Sequence, residues 1–198
     1  MIAFVVFSLC ESEPQASKRE NMMSSNSLSQ SLFKFDLAGA KPSISEHGNT
    51  IREANQNDFP VLAGNGVSFF MIDMKPGALR VPHWHPNAWE LDYCLEGEAE
   101  FWIVGPDNTG NTVKQAVTVR PGQLFFIPQG WFHAIKAISS TNLKLLLTFN
   151  NGMPSDIGIP VGLNGIGNNV FAQTFGVSSG VFNNFNENNR FFAPPVPS

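Results

Sequence analysis

From Gly66 onward, short apolar runs recur between Gly, Pro and Asn punctuation. VSFFMIDM is followed by KPG, ALRVPHWH and WELDYCL, then by EG and EAEFWIV. The series continues through GPDNTGN, TVKQAVTV, RPG, QLFFI, PQG, WFHAIKAI and LKLLLTF. Short strand-like runs bounded by turn residues predict an all-β sandwich or barrel. No helix-period segment in this region is long enough to sit between parallel strands, which argues against an α/β sheet.

Both ends depart from that rhythm. Residues 11–31 are polar and Ser-rich with neither hydrophobic period, as in a mobile leader. Ile2 to Leu9 is apolar but short, and reads as a weak or truncated export signal. It falls far below the ~20 apolar residues of a spanning helix. The folded part is expected to begin near Leu32, with a barrel over residues 32–150. Residues 151–198 then supply a lid loop, a short helix and a tail. NNGMPSDIGIPVGLNGIGNN is a loop of the length that usually forms a lid or a binding loop. Phe171 and Phe175 at helical spacing predict a short helix docked on an apolar surface, of the barrel or of a neighbouring subunit.

Composition narrows the class. The 198 residues suit one domain. With 42% apolar and 14% charged residues the chain can build a core. A net charge of −4 leaves no cationic excess for a phosphate backbone, so nucleic acid is not an expected partner. The two cysteines, Cys10 and Cys94, provide neither a disulfide framework nor a thiolate zinc cluster. Cys94 reads as a small core residue.

Three of the four histidines fall in two short segments bracketed by turn glycines, GALRVPHWHPNAWELDYCLEG and PGQLFFIPQGWFHAIKAI. On a strand, His83 and His85 share a face, with Trp84 opposite. A hairpin bend at Pro86 and Asn87 would return the chain so that Glu90 opens the next strand. A carboxylate there is costly to bury unless paired or bound to a cation. His133 lies near the start of another strand. Three imidazoles and one carboxylate suit a first-row divalent ion with positions left open for water, substrate or dioxygen. Asp92 shares the face of Glu90 by alternation, which places it to orient a ligand histidine through the ring's other nitrogen. His47, without a companion, reads as a surface residue, and the four tryptophans as barrel packing.

These two segments resemble the two motifs of the cupin superfamily. Gly77, five residues, His83, one residue, His85, four residues, Glu90, six residues and Gly97 fill the first without a gap. Gly122, five residues, Pro128, one residue, Gly130, two residues and His133 fill the second, except that Ala137 stands where asparagine is usual. Within cupins, GALRVPHWHPNAWE, HAIKAI, and FNNG followed by FAQTFGV are most similar to the oxalate decarboxylase bicupins. The single barrel is closer in size to germin-type oxalate oxidases. The resemblance implies a conical jelly-roll barrel with manganese on His83, His85, Glu90 and His133. It implies Arg80 as the substrate-binding residue, since a guanidinium can hold a small dicarboxylate by two points. The decarboxylase branch has a glutamate on its lid as proton donor. Here Asp156 is the sole acid of the corresponding stretch, either a shorter lid acid or a solvated one.

The function expected from this is a manganese cupin acting on a small dicarboxylate, foremost oxalate decarboxylation to formate and carbon dioxide, with dioxygen as a co-catalyst. Oxalate oxidation is the alternative, as is a non-catalytic storage, wall-associated or ligand-binding protein. A homo-oligomer is expected, and the leader and low charge point to a secreted or extracytoplasmic setting.

Overall fold

Alternation builds the sheets. In the strand Leu143–Phe149, residues 143, 145, 147 and 149 are buried, while Lys144, Leu146 and Thr148 are only partly so. A period of two turns every second side chain inward. This computed structural model describes residues 32–183 and 190–195, so the expected leader lies outside the described residues.

Two antiparallel sheets face one another across the core, a jelly roll as expected. One contains, in spatial order, β1 (Ile44–Glu46), β2 (Asn49–Ala54), β3 (Ser68–Met74), β10 (Leu143–Phe149), β5 (Glu90–Glu96) and β8 (Leu124–Ile127). The other contains β11 (Ile157–Gly158), β4 (Leu79–Trp84), β9 (Phe132–Ala137), β6 (Ala99–Pro106) and β7 (Thr112–Val119). A last strand, β12 (Phe192–Ala193), also pairs with β4. Ile72, Met74, Phe101, Ile135, Leu145 and Phe149 are buried between the sheets. Gly97 ends β5 with φ 76°, and a Cβ there would lie 2.6 Å from the Asn142 carbonyl oxygen, so the turn requires glycine.

The structure corrects three local expectations. Pro86 and Asn87 do not form a hairpin: β4 pairs with β9, β11 and β12, whereas β5 pairs with β10 and β8, so residues 85–89 cross from one sheet to the other. The long Gly, Pro and Asn stretch is not wholly loop. It contributes β11 and a helix, α1 (Ile159–Ile166), with Pro160 in the first turn, where its missing N–H leaves no bond unmade. Nor is the end APPVPS wholly a tail, since Ala193 pairs with Leu79 in β12, next to two anchored phenylalanines. Phe192 is fully buried, and the Glu46 carboxylate accepts hydrogen bonds from the Phe191 and Phe192 amides at 3.0 and 2.9 Å.

The helix expected around Phe171 and Phe175 is α2 (Asn168–Phe175), ended by Gly176 in the left-handed conformation. Its Phe171 and Phe175 rings gather with Phe182 at centroid distances of 6.1 to 6.3 Å. Among the described residues, no helix is long and apolar enough to cross a membrane.

Candidate metal centre

Strand β4 carries the first two groups of the site, and a bulge makes both useful. Arg80 and His83 are three residues apart, so strict alternation would send them to opposite faces. Against β9, however, Arg80 sits opposite Ile135 and His83 opposite His133, so β4 spends three steps where β9 spends two. One extra residue in β4 turns both side chains inward. Pro82, which has no amide to lose from the ladder, lies within the bulge.

His133 thus meets His83 directly across the strand pair. His85 follows the end of β4, where its carbonyl accepts from the Gly130 amide at 2.9 Å and ties the two sequence motifs together. Gly130 has φ 77°, a conformation that side chains other than hydrogen rarely tolerate. Glu90 approaches from the facing sheet, between Phe149 and Ile127.

Each imidazole is held by its Nδ1. That nitrogen donates to the Val81 carbonyl in His83 (2.7 Å), to the Ser155 carbonyl in His85 (2.7 Å) and to the Trp131 carbonyl in His133 (3.0 Å). A carbonyl can only accept, so Nδ1 bears the proton and Nε2 offers its lone pair inward. The main chain therefore fills the orienting role expected of Asp92. The Asp92 side chain does point into the barrel, but its carboxyl lies against Glu90 rather than a histidine ring.

The four ligand atoms of His83, His85, Glu90 and His133 lie within 4.8 Å of one another, and all four residues are buried. Glu90 Oε2 is 2.9 Å from His85 Nε2 and 3.2 Å from His133 Nε2. Yet neither nitrogen, nor either Glu90 oxygen, has a partner in hydrogen-bonding geometry. Lone pairs converge on a shared point instead of a donor facing an acceptor. Buried polar atoms left in this state are destabilising unless a cation completes them, and the nitrogen and oxygen set fits a first-row divalent ion.

Burial and mutual charge shift the groups of the cluster in different directions. Burial, reinforced by Arg80 and the two other imidazoles, pushes His83 well below its ordinary pKa of 6.5, so it stays neutral and ready to ligate. Burial also pulls His85 down, but contact with the Glu90 carboxylate and the charge of Asp156 outweigh it and leave His85 raised. Burial alone would raise Glu90, and His133 and His85 overcome it, holding the carboxyl well below its usual range. Asp92 goes the other way: burial and the adjacent Glu90 charge raise it well above 3.8, with Arg80 opposing.

Beside the cluster is a cavity of about 160 Å³, walled largely by apolar groups including Phe70, Ile72, Leu147, Phe149 and Phe191. Arg80, 3% exposed, reaches into it. Its guanidinium hydrogen-bonds to Asp156, donates to the Phe191 carbonyl at 3.4 Å and lies 5.0 Å from the Phe191 ring. Asp156 is partly exposed, with its carboxylate turned onto Arg80 and 3.8 Å from His83 Nε2. His47 is exposed in the turn between β1 and β2, away from the cluster. Phe191, Ser155 and Glu46 were missed in the sequence. Nothing local marks them, since Ser155 and Phe191 reach the site only when distant segments fold back, and Glu46 acts at one remove by holding the Phe191 amide. Ala137, in the place of the usual asparagine, is a buried core residue of β9.

The family pattern described as Cupin matches residues 35–181, and the chain belongs to that family. Oxalate oxidase GF-3.8 of Triticum aestivum is 32% identical over 134 residues, which cover 68% of this chain and 59% of the relative. Germin-like protein 3-5 of Oryza sativa subsp. japonica is 32% identical over 135 residues, with 68% and 59% covered. The chain thus spans about three fifths of these relatives. A solved oxalate oxidase holding the substrate analogue glycolate superposes with TM-score 0.67 at 29% identity, over 76% of each chain. The Bacillus subtilis oxalate decarboxylase, described with Mn(II) centres, gives TM-score 0.70 at 25% identity over 83% of this chain and 42% of that one.

Proposed function

We propose that this cupin binds manganese and oxidises a small dicarboxylate, oxalate foremost, with dioxygen as the oxidant. The observation that carries the reading is the meeting of four buried, convergent ligand atoms with a buried arginine at one small cavity. The decarboxylase expectation gives way to the oxidase alternative. Sequence relatives bearing the name oxalate oxidase match over two thirds of the chain. The chemistry leans the same way. Decarboxylation to formate needs an acid that protonates carbon, and where the decarboxylase branch has its lid glutamate this chain offers only the shorter Asp156. Oxidation needs no such proton on carbon: oxalate, dioxygen and two protons become two carbon dioxide molecules and hydrogen peroxide.

The ion, when bound, supplies a Lewis acid and a redox partner for dioxygen. The chain's own residues do the rest. Arg80 presents a planar fork that matches a carboxylate, and Phe191 limits where that fork can point. Apolar walls keep the reacting acid out of bulk water, which strengthens each charged contact. The exposed Val161, Ile166, Val170 and Phe175 on α1 and α2 support a homo-oligomer in which those helices are covered. The expected export rests on residues outside the described ones.

Manganese-loaded protein supplied with oxalate tests the proposal. Peroxide release is expected. Formate release would return the chain to decarboxylation, and neither product between about pH 3 and pH 7 would leave a non-catalytic binding protein. The acid end of that range belongs in the test because proton competition for imidazole, with an ordinary pKa near 6.5, weakens metal retention there.

A further inference from the structure

The segment that carries Asp156 is fastened to the strand that carries the metal-ligand histidines. Ile157 pairs with Trp84 and Gly158 with His83. The Ser155 amide donates to Asn87 Oδ1 at 2.7 Å, and the Ser155 carbonyl orients His85. From this anchored position the Asp156 side chain, 21% exposed, bonds to Arg80 and faces His83. A carboxylate of the chain itself therefore stands between the guanidinium and the ligand cluster, where the carboxylate of a small acid would make its two-point contact.

Resting on the reading of Arg80 as an anion-binding residue beside a metal, we propose that Asp156 sets the affinity threshold of the site, as an internal carboxylate that external acids must replace at Arg80. An intramolecular carboxylate competes at a high effective concentration, in the millimolar range or above. An acid with one carboxylate gains at Arg80 only what Asp156 already supplies, so its net binding is weak. A dicarboxylate has a second carboxylate for the open face of the metal, and that additional contact allows it to displace Asp156. Ser155 holds His85, so the exchange proceeds by rotation of the Asp156 side chain with β11 still paired, and the ligand cluster stays whole.

Calorimetric titration of manganese-loaded protein with acetate and with oxalate tests this. In Asp156→Ala, acetate should bind about tenfold tighter than in the unaltered protein, or better, the worth of one charge-assisted hydrogen bond. Oxalate should gain by a similar factor, because both acids displace the same internal carboxylate. Combining Asp156→Ala with Arg80→Ala should cancel the acetate gain while elemental analysis shows the metal retained. If Asp156→Ala fails to fold or to load metal, Asp156→Asn keeps the side-chain shape and should show a smaller gain in the same direction. Unchanged acetate affinity in whichever variant loads, or weaker oxalate binding there, would overturn the proposal. Absence of peroxide from oxalate would defeat the proposed oxidation but leave the acetate comparison standing, so the two readings fail separately.

Discussion

The ligand cluster and the segment that closes over it were built in different ways. His83, His85 and Glu90 come from one stretch of eight residues, and His133 from a second stretch locked to the first by Gly130 and the β4–β9 pairing. The arginine side of the same cavity comes from Asp156 and Phe191, 76 and 111 residues beyond the arginine they contact. The first part is a rigid constellation on paired strands. The second consists of two-residue strands laid along one exposed edge of β4. Short edge additions hold fewer ladder bonds and open at lower cost than central strands. The platform of convergent ligand atoms thus rests on long strand pairs, while the groups that contact Arg80 come from segments held by short ones.

The sharpest way to break that comparison is at the platform. Glu90→Ala removes the single carboxylate facing three imidazoles, and stoichiometric metal should be lost altogether. Full metal content by elemental analysis would contradict the ligand assignment. Arg80→Ala should act on the other side alone, weakening oxalate binding by roughly 10- to 100-fold, the worth of a charged hydrogen bond, with metal content unchanged. Loss of the ion together with the anion would show that the two parts are one.

Glu46→Ala removes the acceptor for the Phe191 and Phe192 amides, and should destabilise the fold by about 1–3 kcal/mol in denaturant unfolding. A change confined to a few tenths would mean that β12 is held by its pairing with β4 alone.

The smallest effect concerns pH. Asp92 has a folded-state pKa raised above its ordinary 3.8, so the folded chain binds a proton that the unfolded chain releases. Stability should therefore be greatest below 3.8 for this group and fall as pH rises through the raised value. Asp92→Asn removes that loss. Metal-free Asp92→Asn should melt above the unaltered protein at neutral pH, with the difference vanishing toward acid. A difference that grows toward acid would reverse the sign of the burial argument.

Much of this was legible in the chain. Leu143 through Phe149 shows its period of two directly, and the spacing of His83, His85, Glu90 and His133 between turn glycines picked out the four residues that the fold gathers. The crossing at residues 85–89 was misread as a hairpin because a Pro-Asn pair marks a bend without saying which sheet receives the next strand. The helix α1 was hidden by its glycines and proline, whose propensities speak against a helix that later docking supports.

Local pattern therefore determined the strands, the turn glycines and the two motifs that carry the candidate ligands, since each depends on neighbours a few residues away. Only the tertiary structure decided that Arg80 and His83 face the same way, through a bulge in β4. It also decided that Asp156 sits on Arg80 and that Phe191 walls the cavity. Those relations are set by register and by long-range closure, where a one-residue slip reverses every side chain and no short stretch of sequence carries the information.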